Sequence, residues 1–162
     1  MLSVFDGLRD VTTLSVFVRL ACALICGGII GIERSYKRRP AGFRTHILIC
    51  IGAAITTLTS QYLYLNMHYF TDMARLGAQV VAGIGFIGAG TIIVTKRQRV
   101  KGLTTAAGLW TSAIIGLTFG GGFYEGGILA TVFIMLAELV FSRIEYRVLE
   151  NVPEINLYME YE

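Results

Sequence analysis

The stretch LSVFVRLACALICGGIIGI, residues 14–32, decides the architecture. It contains one charged residue, Arg19, in a run long enough to cross a bilayer as a helix, which takes ~20 apolar residues. Working outward, four further apolar runs follow, at 45–65, 76–95, 103–119 and 123–141. The two prolines, Pro40 and Pro153, fall between or after the runs, where a helix can stop. Composition agrees with this reading. The chain has 162 residues, 54% hydrophobic and 15% charged, whereas soluble domains carry about 25% charge. It has 19 glycines, about 12% against roughly 7% in ordinary chains. A soluble domain of this length cannot hide so much apolar surface in one core, and a disordered chain would carry far less of it. The predicted fold class is all-α transmembrane: a five-helix polytopic bundle over residues 1–142, made of two parallel helical hairpins plus one helix. A cytoplasmic tail, 143–162, follows.

The positions of Lys and Arg set the expected orientation. Arg34, Lys37, Arg38, Arg39 and Arg44 follow the first run, Lys96, Arg97, Arg99 and Lys101 follow the third, and Arg143 and Arg147 follow the fifth. Eleven of 14 basic residues therefore lie at one end, which predicts cytoplasmic basic loops and C-terminus and an external N-terminus. Asp6 and Asp10 flank Arg9 near the start, unlike the basic beginning of a cleavable leader. The basic loops are juxtamembrane, so anionic lipid is a more natural partner than nucleic acid.

The two halves share a pattern. GFRT (42–45) opens the second run and GLTT (102–105) opens the fourth, each after a basic loop. That is the arrangement of a parallel repeat. In the tail, Ile155, Leu157, Met159 and Tyr161 alternate with polar residues, which predicts a β-strand. Such a strand needs a partner for its backbone, either a second copy or the rest of a soluble domain beginning here.

The string GIGFIGAG (83–90) contains a formal G-x-G-x-x-G. The dinucleotide reading fails, because no strand precedes it and no acidic residue follows at the required distance. Small residues in a membrane helix instead let backbones approach closely. Ala78, Ala82, Gly85 and Ala89 form one smooth face, Gly108, Ser112, Gly116 and Gly120 another, and Gly27 and Gly31 a third. These faces suit a tight bundle and also a homodimer seam.

Charges inside a membrane are costly and mark candidate sites. Glu33 and Arg34 end the first run; Arg44, Thr45 and His46 begin the second; Glu138 lies near the end of the fifth. They are expected at similar depth, with Glu33 and Glu138 facing Arg34 and Arg44, either as a structural ion-pair network or as a cation, proton or effector site. At the opposite end, Arg19, Asp72, Arg75, Gln79 and Glu125 are a second candidate group, with Arg19 free to snorkel outward. Cys22, Cys26 and Cys50 read as small packing residues. His46 and His68 lack companions at metal-ligand spacing, so no metal site and no cofactor is expected. His46 reads as an interfacial hydrogen-bonding residue. There is no hydrolytic constellation, and the chain is not expected to be an enzyme.

The strings GIERSYKRRPAGFRTH, QVVAGIGFIGAG and VKGLTTAAGLW together resemble the MgtC/SapB family of bacterial inner-membrane proteins, in its order and spacing over about residues 14–140. The family pattern marks Glu33, Arg34, Pro40, Ala41, Gly42, Arg44, Thr45 and His46. It also marks Asp72, Arg75, Gln79, Gly83, Gly85 and Gly88, and then Gly102, Leu103, Thr105, Ala106, Ala107 and Trp110. Thr104 stands where some relatives have an amide. The resemblance implies a C-terminal soluble domain, of which the tail is the first strand. It also implies roles in growth at low magnesium and in survival inside macrophages. These are tied to membrane potential and, in some members, to inhibition of the F-type ATP synthase.

The leading expectation is a non-enzymatic membrane regulator that acts by helix–helix contact, as a homodimer and with a membrane complex such as the F-type ATP synthase as partner. The alternatives are a transporter or channel for Mg²⁺ or another cation, and a lipid or small-anion binder at Arg34 and Arg44. Mg²⁺ favours carboxylates and retained waters, and the two embedded acids at the basic end both have basic neighbours.

Overall fold

The structure is a computed structural model and describes residues 3–69, 72–94 and 100–150, with the side chains of 145, 146, 149 and 150 left aside. A short 3-10 turn, Ser3–Leu8, leads into α1, Thr13–Tyr36. Then come α2, Phe43–Leu65; α3, Arg75–Ala89; a two-stranded hairpin, β1 Ile93–Val94 and β2 Val100–Lys101; and α4, Leu103–Gly120. The last helix begins as α5, Tyr124–Leu136, widens into a π turn, Ala137–Phe141, and continues as α6, Ser142–Glu150. The result is an all-α bundle in which α1, α2, α4 and the stretch Tyr124–Ile144 are long and apolar enough to cross a membrane.

α1 starts where Thr12 and Ser15 cap each other: Ser15 N–H donates to Thr12 Oγ1 at 3.2 Å and Thr12 N–H to Ser15 Oγ at 2.9 Å. That reciprocal pair satisfies two donors that a helix end leaves open. α1 ends in a Schellman arrangement, with Arg38 N–H bonded to Ser35 O and Arg39 N–H to Arg34 O, both at 3.0 Å. Gly102, at φ +97°, turns the chain from β2 into α4, a left-handed conformation that a Cβ disfavours.

The third helix is shorter than the expected 76–95 run. α3 has 15 residues, ~22 Å at 1.5 Å per residue, whereas the hydrocarbon core is ~30 Å thick. The run breaks after Gly90, where Thr91 Oγ1 donates to Gly88 O at 2.7 Å. Thr91, Ile92, Ile93, Val94 and Thr95 are all β-branched, a composition that favours extended chain. Ile93 pairs with Lys101 and Val94 with Val100. Hydropathy alone could not register that change of conformation.

Close packing of α2 with α1 and α4 holds the centre. A Cβ at Gly27 would lie 2.9 Å from the Cys50 Cβ and from His46 O, and one at Gly31 would lie 2.7 Å from the Phe43 Cα. On α4, a Cβ at Gly116 would strike the Cys50 carbonyl, and one at Gly120 would lie 2.9 Å from the Ala54 Cα. Cys50 Sγ donates to Ser112 O at 3.0 Å, and Ser112 Oγ to Gly108 O at 2.8 Å. The three cysteines are free thiols.

α3 departs from the expected pattern. Ala78, Ala82, Gly85 and Ala89 are exposed, and nothing lies within 4 Å of a Cβ built at Gly85. The inward stripe is instead Gly77, Val80, Ile84 and Gly88, packed on Leu117, Ala113 and Ala106 of α4. Burying Ile84 removes more apolar surface than burying an alanine, so it sets the rotation of the helix. The tail strand expected at 155–161 lies outside the described residues, as do Lys96, Arg97 and Arg99. Residues 143–150, expected to belong to the tail, are helical and continue the fifth helix.

Candidate functional site

At the basic end, α1 and the π turn bring charges into the interior. Arg34 is 1% exposed. Its Nη1 donates to Glu138 Oε1 at 3.1 Å and Oε2 at 3.0 Å, and its Nη2 to Thr105 Oγ1 at 2.8 Å. Glu138 lies in the π turn, a feature that often accompanies functional positions. Lys37, one turn after Glu33, lies 2.6 Å from Glu33 Oε1. Its Nζ also donates to Glu138 O at 2.6 Å and Ser142 Oγ at 3.1 Å. Two acids and two bases thus neutralise each other where α1 meets the π turn.

His46 is fully buried beside this network, within electrostatic reach of Arg34, Glu138 and Glu33. Its Nδ1 lies 2.9 Å from Gly42 O, so Nδ1 carries the donated hydrogen and Nε2 is an acceptor in the neutral ring. Among the described residues, His46 Nε2, Glu33 Oε2 and Arg34 Nε find no hydrogen-bond partner. Arg44, expected to face the acids, is instead exposed at the start of α2 and makes no ion pair among the described residues. A helix presents neighbouring residues about 100° apart, so burying His46 turns Arg44 outward. Thr45 is half-buried beside it, and Thr104 and Trp110 are exposed.

The expected group at the opposite end divides. Arg19 does not snorkel: it is fully buried, with no carboxylate partner among the described residues. Its Nη1 donates to Gln61 Oε1 at 2.7 Å and Gly120 O at 2.8 Å, and its Nη2 to Leu8 O at 3.3 Å and Arg9 O at 2.6 Å. Gly120 closes α4, where the helix dipole favours a cation. Glu125 pairs with Arg9 at 2.7 Å. Burial acts to lower the Arg9 guanidinium, but its hydrogen bonds and charge contacts with Asp6 and Glu125 outweigh this and hold it above the ordinary value. Asp72 Oδ1 accepts from Ala74 N–H at 2.9 Å in the turn before α3, and Arg75 and Gln79 are exposed. Phe5 stacks on Tyr124 with ring centroids 4.9 Å apart, and Tyr124 Oη donates to Leu8 O at 3.1 Å. Together these contacts fasten the first residues across this end.

Sequence reasoning missed Lys37, Ser142, Arg9 and Gln61. Lys37 had a local signal, its i,i+4 spacing from Glu33. Gln61, a polar residue within an apolar run, had one too. Arg9 with Glu125 had none, being 116 positions apart. Among the described residues, no group of three His, Cys, Asp or Glu side chains could hold a metal ion. An apolar groove of about 330 Å³ runs between α2 and α3, with Leu48, Gly52, Val80, Gly83 and Ile87 on its walls.

The MgtC family matches residues 20–147. YhiD of Escherichia coli (strain K12), named as a candidate magnesium transporter, is 42% identical over 143 residues, 86% of this chain and 66% of its own length. An uncharacterized protein of Haemophilus influenzae is 40% identical over 129 residues, covering 76% of this chain and 54% of its own. Protein MgtC of Salmonella typhimurium (strain LT2) is 37% identical over 131 residues, 81% of this chain and 54% of its own. The chain therefore spans between half and two thirds of these relatives' lengths. No solved structure shows significant similarity. A helical membrane bundle with this sequence pattern, matched over most of its length, belongs to the MgtC family.

Proposed function

We propose that this chain is a non-enzymatic inner-membrane protein that supports adaptation to low magnesium by contact with other membrane proteins. The membrane complexes it would modulate are those that set membrane energetics, such as the F-type ATP synthase. The observation that carries this reading is internal neutralisation. Glu138 is engaged by Arg34 and Glu33 by Lys37, so each embedded acid at the basic end already has a cationic partner. Arg19, fully buried near the start of α1, has no carboxylate partner among the described residues, and its charge opposes passage of a cation through the bundle. The exposed stripe of Ala78, Ala82, Gly85 and Ala89 leaves α3 a smooth surface on which a second helix can pack, in a homodimer or with another protein. The proposed orientation puts the basic end in the cytoplasm, following the positive-inside rule.

YhiD's name assigns it magnesium transport, and that is the competing reading. Purified protein in liposomes separates the two. The regulator reading expects Mg²⁺ flux no greater than empty liposomes, and specific co-purification of a membrane complex from native membranes. Robust flux that Glu138→Gln abolishes would establish transport instead.

A further inference from the structure

We propose that the turn between α1 and α2 is a headgroup site for an anionic phospholipid, with Arg38, Arg39 and Arg44 taking its phosphate. The first observation is backbone conformation. α1 closes with Lys37 at φ −78° and Arg38 at φ +52°. Glycine usually fills this left-handed position, because a Cβ there crowds the carbonyl oxygen. An arginine held in such a conformation points to a use for its side chain.

The second observation is charge. Arg38, Arg39 and Arg44 are exposed and make no ion pair among the described residues. Two acids of this end are already engaged, Glu33 by Lys37 and Glu138 by Arg34. Exposed Arg143 adjoins the same turn, since the preceding Ser142 hydroxyl lies 3.1 Å from Lys37 Nζ. The buried network is neutral, so the positive charge of this end lies on its outer surface. Guanidinium groups bind phosphate oxygens in pairs, with two parallel N–H donors.

The third observation is level. Tyr36, directly before the turn, is 88% exposed, and Phe43, directly after it, is 43% exposed. Exposed aromatic rings beside a helix end mark the membrane–water boundary. A phosphate bound at this turn therefore sits at headgroup depth with apolar surface beneath it, which suits a phospholipid. α2 also begins here, at Gly42, with Phe43 N–H donating to Ser35 Oγ at 2.8 Å, and the positive end of its dipole faces the same region.

The test places the whole chain in nanodiscs of phosphatidylcholine with and without phosphatidylglycerol, then counts retained lipids by native mass spectrometry. Wild type should retain phosphatidylglycerol in preference to phosphatidylcholine. Arg38→Gly should reduce that retention about fivefold, the effect of one basic residue at an anionic surface. Its melting temperature should stay level or rise, because glycine suits the backbone. Arg38→Lys should keep part of the preference, and Arg44→Ala should lower it without unfolding the protein. Unchanged retention in Arg38→Gly, or equal retention of the two lipids by wild type, overturns the proposal. An inorganic phosphate arm identifies the source. Displacement of phosphatidylglycerol by millimolar phosphate, dependent on Arg38, would assign the turn to soluble phosphate and overturn the lipid assignment.

Discussion

Replacing Glu138 with alanine isolates the energetics of the buried network. The Arg34 guanidinium is 1% exposed and makes three hydrogen bonds, two to Glu138 and one to Thr105. Alanine removes the first two and the counter-charge together. Removing one partner of a buried ion pair generally costs ~3–5 kcal/mol, because the remaining charge is uncompensated. Two features place this case at the lower limit. The Glu138 side chain is 17% exposed, so water can reach the vacated space. The Thr105 contact survives, and so does the Lys37 bond to the Glu138 carbonyl. We expect a loss of about 3 kcal/mol, or about 6–12 °C in melting temperature at ~2–4 °C per kcal/mol for a chain of this size. The assay is thermal unfolding in detergent, followed by intrinsic fluorescence. The double variant Arg34→Met with Glu138→Leu removes both charges and should recover most of the loss, since apolar replacement of a buried pair is often neutral. If Glu138→Ala shifts the midpoint by less than ~2 °C, or the double variant is as unstable as the single one, the attribution to an uncompensated Arg34 charge is wrong.

Three more substitutions examine the packing. Gly116→Leu drives a side chain into the Cys50 carbonyl and should abolish the yield of folded protein on size-exclusion chromatography; a normal elution profile would contradict the α2–α4 contact. Gly102→Ala places a Cβ at φ +97° against the Thr91 carbonyl, and should cost at least ~1–2 kcal/mol in thermal unfolding. An unchanged midpoint there would argue against the left-handed turn. Gly85→Leu meets no atom, so stability should hold within ~0.5 kcal/mol while crosslinking between copies in membranes falls. Undiminished crosslinking would remove α3 from the association surface.

Long-range order in this chain was legible where one physical signal dominated. Hydropathy located the helices, because bilayer thickness fixes their length. Glu33, Arg34, His46 and Glu138 were placed at one depth by counting from the helix ends. The choice of partner was not legible. Glu33 and Arg34 are neighbours in sequence but point to different partners, Lys37 and Glu138, and Arg44 points away from both. That outcome depends on helix rotation, which small residues specify weakly. On α3 nearly every position is small or apolar, so several rotations look equivalent until Ile84 is set against α4. The break at Gly90 was hidden for another reason: isoleucine and valine are as apolar in a strand as in a helix.

Arg19 also constrains the order in which the chain can assemble. Its ligands come from residues 8, 9, 61 and 120, the farthest 101 positions downstream. During synthesis α1 enters the membrane long before the Gly120 carbonyl exists. Until then the guanidinium must remain at the interface, held by water or headgroups, and α1 must sit at a depth different from its final one. The arrival of α4 completes its set of acceptors and draws the residue inward. A nascent chain stopped before Gly120 would therefore hold α1 in a provisional position, and closure of this end of the bundle becomes a late event in biogenesis.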